Sequence, residues 1–165
     1  MDGDQVDRLV EAWSRERPDL DIGPLEVLSR VTRLARHLDR ARRAAFADHG
    51  LQVWEFDVLA ALRRAGPPYA LSPGQLMGWT LVTSGTMTNR VDRLVRRGLV
   101  ERRPDPRDRR GVRVVLTAEG RERVDAALAD LLDQEQAILA GLTSAQRGTL
   151  AALLHTVVAP FDNEP

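Results

Sequence analysis

Apolar residues recur at three- and four-residue spacing along most of the chain, a pattern that predicts amphipathic helices. The first helix is expected over residues 6–13 and has to end by Pro18. A second, longer helix is expected over 23–50, and a third over about 52–65. The chain is therefore predicted to be mainly helical.

The starts of the later helices are marked by polar residues that can accept hydrogen bonds from free backbone N–H groups. These capping residues are Ser72, either Thr83 or Ser84, Thr117 and Thr143. Ser72 and Thr143 are each followed three residues later by Gln, which completes a capping box. The four helices are expected to end near Thr80, Gly98, Gly141 and Pro160, respectively.

Two strand-like runs, 99–102 and 112–116, follow the helix that ends at Gly98, and a basic loop separates them. Residues 69–71 can form only a very short additional strand. Two short helices followed by strand, loop and strand predict a winged helix-turn-helix. The expected fold class is mainly α, with a two-stranded β wing and N- and C-terminal dimerisation helices.

We expect three regions along the chain. Residues 1–50 would form N-terminal helices for dimerisation and ligand binding, 51–116 the DNA-binding winged helix-turn-helix, and 117–165 the C-terminal dimerisation helices. The terminal helices have apolar faces with no obvious partner in the winged-helix region. Burying these faces against a second copy predicts a symmetric homodimer.

Positive charge is concentrated in the predicted recognition helix and wing. The chain has 24 basic and 24 acidic side chains, but residues 90–113 contain ten arginines and four acids. A local excess of six positive charges in an otherwise acidic chain favours a polyanion at that place. Every basic residue is Arg, whose planar fork pairs with phosphate and guanine. This pattern predicts double-stranded DNA as the partner.

The outward face of the helix that ends at Gly98 is the predicted DNA-reading surface. A turn of about 100° per residue places Thr86, Asn89, Arg93 and Arg96 on that face. Thr86 and Asn89 are short enough to approach base edges. Arg93 can pair with guanine, whereas Arg96 is better placed for phosphate.

Ser84 and Thr88 lie nearer the inner side of the same helix and suit phosphate contacts or capping. The alternative for the whole face is an ordinary solvated surface, as most polar helix faces are. The basic wing that follows directly in the sequence favours the DNA interpretation.

The wing tip is expected to carry Arg107, Asp108, Arg109 and Arg110 among turn-forming residues. An arginine at such a tip can enter a minor groove, where narrow A·T tracts concentrate negative potential. Asp108 cannot favour DNA directly. It is expected either to hold Arg110 in position through a salt bridge or simply to cap the turn.

Several segments closely resemble the MarR family of bacterial transcription regulators. They are WEFDVL at 54–59, GLVER at 98–102, DRR at 108–110 and VVLT at 114–117. The resemblance covers nearly the whole chain. It implies a homodimer with interlocked terminal helices that binds a palindromic operator, usually as a repressor released by a small molecule.

A finer resemblance is to the urate-responsive PecS and HucR branch, because the Trp-bearing N-terminal helix looks like theirs. This resemblance implies that an anionic purine such as urate binds Trp13, Asp57, Arg90 and Arg102, with Arg103 as the alternative to Arg102. Trp13 offers a flat surface for stacking, but it could equally be dimer core. Asp57 could instead belong to a structural ion pair. A phenolic or other aromatic acid is the alternative effector.

Other classes of function find little support. The three histidines are scattered, and there is no phosphate-binding loop or nucleophile motif, so no enzyme, metal or cofactor is expected. The lack of cysteine excludes disulfides and thiol redox sensing. The acidic start and the lack of a long apolar run predict a soluble, cytoplasmic protein. A winged helix that binds protein is an alternative against which the local charge argues.

Overall fold

The computed structural model describes residues 3–80, 83–106 and 108–161, apart from the side chains of Arg109 and Arg110. Two compact units, Met1–Ala44 and Ala45–Pro165, divide the chain. Within the described residues the elements are α1 (Gln5–Glu16), α2 (Gly23–Asp48), α3 (Val53–Arg64), β1 (Ala70–Leu71), α4 (Pro73–Thr80), α5 (Ser84–Arg96), β2 (Val100–Asp105), β3 (Asp108–Leu116), α6 (Ala118–Ile138) and α7 (Ser144–Val158). The mainly α winged helix-turn-helix is confirmed.

In the first unit, α1 begins with a capping box, and an arginine of α2 forms ion pairs with the acidic residues of this box. The Asp4 carboxylate accepts from the N–H of Val6 at 2.6 Å and of Asp7 at 3.0 Å. Arg30 of α2 pairs with Asp7 at 2.5 Å and with Asp4 at 3.0 Å. The backbone hydrogen bonds from Asp7 and Val6, with the side-chain hydrogen bond from Arg30, hold the pKa of Asp4 below its usual value. The cap is therefore charged at neutral pH, and a negative charge is favourable at a helix N-terminus.

The core of the second unit lies among α3, α4, α5, α6 and the sheet. Its largest fully buried apolar side chains are Phe46, Leu59, Leu62, Leu76, Met87, Leu94 and Leu99. Phe46, at the end of α2, stacks on Phe56 of α3 with ring centroids 3.9 Å apart. Leu76 and Leu94 come from α4 and α5, so the helix-turn-helix is anchored in this core by its apolar sides.

The three strands form an antiparallel sheet in the order β1-β3-β2. The wing hairpin is longer than the expected runs 99–102 and 112–116, because residues assigned to a broad loop are paired, as in Arg103 opposite Arg113. Pro104 is accommodated because β2 is an edge strand. An ion pair of 3.0 Å between Asp105 and Arg113 further stabilises the hairpin. The strand bounds predicted from the sequence were therefore wrong, and the connecting loop is shorter than expected.

The capping predictions at Ser72, Thr117 and Thr143 are confirmed, whereas the one for α5 is not. The Ser72 hydroxyl accepts from the Gln75 N–H at 3.2 Å, and Thr143 makes the corresponding capping box at the start of α7. Thr83 precedes α5 without a side-chain capping bond. Gly98, after α5, has a φ of 70°, the left-handed conformation that commonly ends a helix.

Thr117 connects three elements through one side chain. Its hydroxyl accepts from the N–H of Gly120 at 3.0 Å, which caps α6. The same hydroxyl lies 2.8 Å from the carbonyl oxygen of Gly98 and 3.0 Å from that of Leu99, which share its proton. The end of α5, the start of β2 and the start of α6 are therefore joined at one point.

Several helices keep apolar side chains exposed. In α6, Val124 and Leu131 are buried, whereas Leu128 and Ile138 are 41% and 39% exposed. The other exposed large apolar residues of the long helices are Val27, Leu28, Val31, Leu132, Leu153, Leu154, Val157 and Val158. These side chains leave α2, α6 and α7 with apolar surface that the described chain does not bury.

Gly120→Ala is expected to destabilise the second unit by about 1–3 kcal/mol, the usual cost of overpacking. A methyl group there would lie 2.1 Å from the carbonyl oxygen of Leu99 and 2.9 Å from Cδ1 of Leu116. Gly78→Ala is the matched control, since nothing lies within 4 Å of its added methyl. Urea unfolding should show a lower midpoint for Gly120→Ala and an unchanged or higher one for the control. Equal midpoints would contradict the close packing of α6 on Leu99 and Leu116.

Candidate nucleic-acid interface

Helices α4 and α5 form the helix-turn-helix, joined through residues 81 and 82, which lie outside the described part of the chain. One side of α5 is buried in the core through Met87, Val91 and Leu94. The residues expected to read DNA are exposed on the rest of its surface: Ser84, Thr86, Thr88, Asn89, Arg93 and Arg96. The helical periodicity thus correctly separates the core side of α5 from its polar side.

Two of the hydroxyl groups at the start of α5 already have partners. Thr88 Oγ1 donates to the carbonyl oxygen of Ser84 at 3.1 Å, and Thr83 Oγ1 donates to Thr86 Oγ1 at 3.0 Å. Both hydroxyls remain exposed and can still accept a hydrogen bond.

Trp54 lies next to the polar face of α5, a contact that the sequence pattern did not reveal. The guanidinium carbons of Arg90 and Arg93 are 5.5 and 5.0 Å from the centre of its ring. Both distances are within the range of a cation–π interaction. Trp54, Thr86, Asn89, Arg90 and Arg93 together line a cavity of about 260 Å³.

A buried ion pair anchors the end of α5. Glu55 is 2% exposed and is the only buried charged side chain among the described residues. Arg97 donates to its Oε2 at 2.5 Å and to the carbonyl oxygen of Gly50 at 2.7 Å. Glu55 also accepts from the N–H of Gln52 at 2.9 Å, so the carboxylate joins α5 to the first turn of α3. Its capping-box position, three residues after Gln52, was the sequence signal for this role.

The predicted ligand-site residues have different neighbours. Arg102 of β2 pairs with Asp92 of α5 at 2.6 Å, while Arg103, the alternative, pairs with Glu101. The guanidinium carbon of Arg90 lies 5.5 Å from the centre of the Trp54 ring. Arg90 and Arg102 therefore have different partners in this structure.

Of the other two predicted ligand-site residues, Asp57 lines a small cavity and Trp13 is half-exposed. Asp57 lines a cavity of about 180 Å³ with Arg64, Trp79 and Thr80. The Arg64 guanidinium carbon is 5.6 Å from the centre of the Trp79 ring. Trp13 belongs to α1 in the first unit and is 49% exposed. Its exposure agrees with either a stacking surface or a covered dimer surface.

The wing tip is described only in part. Arg107 lies outside the described residues, as do the side chains of Arg109 and Arg110. Asp108 is exposed at the start of β3, and the predicted salt bridge to Arg110 remains a prediction. Among the described side chains of the wing, ion pairs are formed by Arg102, Arg103 and Arg113.

Two general features bear on the class of function. Across the described ranges, no helix is both long and apolar enough to cross a membrane. In the same ranges, no three His, Asp or Glu side chains come together as a metal site would require.

Comparison with known proteins agrees with this geometry. The MarR family pattern matches residues 49–111. The HTH-type transcriptional regulator PecS of Dickeya dadantii (strain 3937) is 37% identical over 93% of this chain and 92% of that protein. The chain belongs to the MarR family. It is thus a member of a family of DNA-binding transcriptional regulators.

Solved MarR-family structures share the fold. A mutant MarR from E. coli, complexed with operator DNA, has a TM-score of 0.67 and 31% identity, covering 83% of this chain and 95% of that chain. BpsR from Bordetella bronchiseptica, whose DNA binding is regulated by 6-hydroxynicotinic acid, has a TM-score of 0.58 and 30% identity. That alignment covers 78% of this chain and 98% of BpsR.

Arg97→Gln is expected to destabilise this MarR-family protein by about 1–3 kcal/mol, because it leaves the buried Glu55 carboxylate without its charged partner. A double-mutant cycle with Glu55→Gln should give a coupling energy of about 0.5–3 kcal/mol in urea unfolding. The exposed pair Arg123–Glu119 is the matched control, where the coupling should stay below about 0.5 kcal/mol. Coupling as weak at Glu55–Arg97 as in the control would show that this pair does not anchor α5.

Proposed function

We propose that this MarR-family protein is a cytoplasmic, homodimeric repressor of transcription. It binds a palindromic operator and is released by a small anionic aromatic ligand such as urate. The observation that carries this proposal is α5, which buries Met87, Val91 and Leu94 and exposes a continuous polar and basic face. A helix anchored in this way by its apolar side can enter the major groove.

Dimerisation is supported by the exposed apolar side chains of α2, α6 and α7. Leu28 is 52% exposed, Leu132 47% and Leu153 62%, values unusual for large apolar residues that recur along three helices. A symmetric dimer would cover them and place two recognition helices on two half-sites. The operator should therefore be palindromic, with half-sites about one helical turn or a small multiple of it apart.

On the DNA, Arg93 and Asn89 are assigned to base edges, and Thr86 lies close enough to assist. Arg96, Ser84 and Thr88 are assigned to phosphates. The arginines of the wing tip are assigned to the minor groove and its phosphates. The excess of positive charge between Arg90 and Arg113 supplies the sequence-independent part of the affinity.

For the effector, we propose binding through Trp13, Asp57, Arg90 and Arg102. An anion would pair with the arginines, stack on Trp13 and repel Asp57. Binding at Arg90 would act on α5 directly, since Arg90 is one turn from Arg93. In this arrangement Arg102 would have to exchange Asp92 for the ligand. The similarity to BpsR supports an aromatic acid as the second candidate.

The dimer is tested by light scattering. A mass of about twice 18.4 kDa is expected at micromolar concentration. Leu153→Arg places a charge on the exposed apolar face of α7 and should shift the protein toward the monomer. A stable wild-type monomer at that concentration would rule the dimer out.

Arg93→Ala is expected to cost about 1–3 kcal/mol in operator binding and to relax the base preference at one position in each half-site. Arg110→Ala should weaken binding to all sequences alike and lower the salt dependence by about one unit of slope. Arg147→Ala, in α7, serves as the matched control. Gel-shift titrations on the intergenic DNA beside the gene, at several salt concentrations, measure all three. If Arg110→Ala binds DNA with the same affinity as the wild type, the role proposed for the wing tip is refuted.

Urate is expected to release the DNA and to quench the fluorescence of Trp13. A ligand that prefers the released state hundredfold shifts the equilibrium by about 2.7 kcal/mol, enough to vacate a moderately occupied operator. Trp13→Phe is needed as a control, because Trp54 and Trp79 also fluoresce. 6-Hydroxynicotinic acid is tested in parallel as the aromatic acid.

No effect of urate at millimolar concentration would refute the purine hypothesis and leave the DNA-binding proposal intact. Equal release by urate from Trp13→Phe, Arg90→Ala and the wild type would place the ligand site elsewhere. Release by the aromatic acid alone would support the second candidate.

A further inference from the structure

Two arginines of the recognition helix share one aromatic ring. Arg90 and Arg93 are three residues apart on α5 and therefore lie on one side of it. Their guanidinium carbons are 5.5 and 5.0 Å from the centre of the Trp54 ring. The ring belongs to α3, so these two side chains of α5 are in contact with a residue of another helix.

The Trp54 ring is itself held in place. Its Nε1 donates to Oε1 of Gln52 at 2.5 Å, and the side chain packs against the hydrophobic core. The N–H of Gln52 donates in turn to Glu55, the buried partner of Arg97. The ring therefore occupies a fixed position relative to the end of the recognition helix.

A cation–π contact restrains an arginine without using its hydrogen-bond donors. The ring attracts the positive charge of the guanidinium group, and the N–H groups stay available to other partners. Arg93 held in this way can still donate two parallel hydrogen bonds to a guanine. Thr86 and Asn89 line the same cavity, so polar groups of α5 surround the donors.

We infer that Trp54 is a positioning residue for DNA recognition, orienting the guanidinium groups of Arg90 and Arg93 before the operator arrives. This inference rests on the proposed DNA-binding function. A restrained arginine loses less conformational freedom when it binds, which favours the one base edge that fits its orientation. Trp54 should therefore affect sequence discrimination more than general affinity for DNA.

Two separate substitutions of Trp54 test the inference. Trp54→Phe keeps an aromatic face of weaker attraction, and Trp54→Met keeps apolar volume without that face. Tyr69→Leu is the matched control, because the Tyr69 ring also lies near two arginines, Arg63 at 5.1 Å and Arg121 at 5.8 Å, outside the recognition helix. Circular dichroism and urea unfolding establish that each variant is folded.

Binding is measured on a duplex of the intergenic DNA beside the gene and on a scrambled duplex of the same composition. The ratio of the two affinities should fall about three- to tenfold in Trp54→Met and about twofold in Trp54→Phe. Affinity for the scrambled duplex should change little, because all charges remain. Tyr69→Leu should keep the wild-type ratio.

A double-mutant cycle separates positioning from packing. In the Arg93→Ala background, Trp54→Met should lower the ratio much less than in the wild type, since the oriented group is absent. An equal fall in both backgrounds, or an unchanged ratio in Trp54→Met, would overturn the inference. If Trp54→Met fails to fold, an unchanged ratio in Trp54→Phe overturns it. A wild type without preference for the intergenic duplex would instead overturn the proposed function, and this inference with it.

Discussion

The ion pair between Glu55 and Arg97 is the interaction on which the DNA-facing part of the molecule depends. A buried carboxylate is costly unless it is paired and hydrogen-bonded, and Glu55 has both an arginine and the N–H of Gln52. Satisfying this one group requires the end of α5 to meet the first turn of α3. Trp54 lies in that same turn, so its contact with the arginines of the recognition helix follows from the same placement.

Most helices and their ends could be predicted from the sequence, because local chemistry determines them. Ser72, Thr117 and Thr143 cap helices by bonding to N–H groups three residues away, and Gly98 ends α5 through its own conformation. The length of the wing could not be predicted in the same way. The wing contains residue types that are depleted in strands, namely Pro104, Asp105, Asp108 and Gly111, and pairing between β2 and β3 overrides that preference.

The polar face of α5 could also be predicted, since helical periodicity alone separates its exposed side from its buried one. The partners of the individual charges could not. With 24 arginines and 24 acids, the pairing of Arg102 with Asp92 or of Arg97 with Glu55 is one choice among many until the chain is folded. The cation–π contacts of Trp54 could not be predicted for a related reason: an apolar residue at helical spacing predicts core, and this ring is only partly buried.

The hydroxyl of Thr117 has a mechanical consequence. It bonds to Gly98 and Leu99, which connect α5 to β2, and to the first turn of α6, so it ties this connection to the start of α6. A tilt of α6 about its first turn would therefore move the recognition helix and the wing together. In the proposed dimer, an effector would then switch the protein by altering the spacing and the angle between the two winged helix-turn-helix regions. Neither region would have to refold.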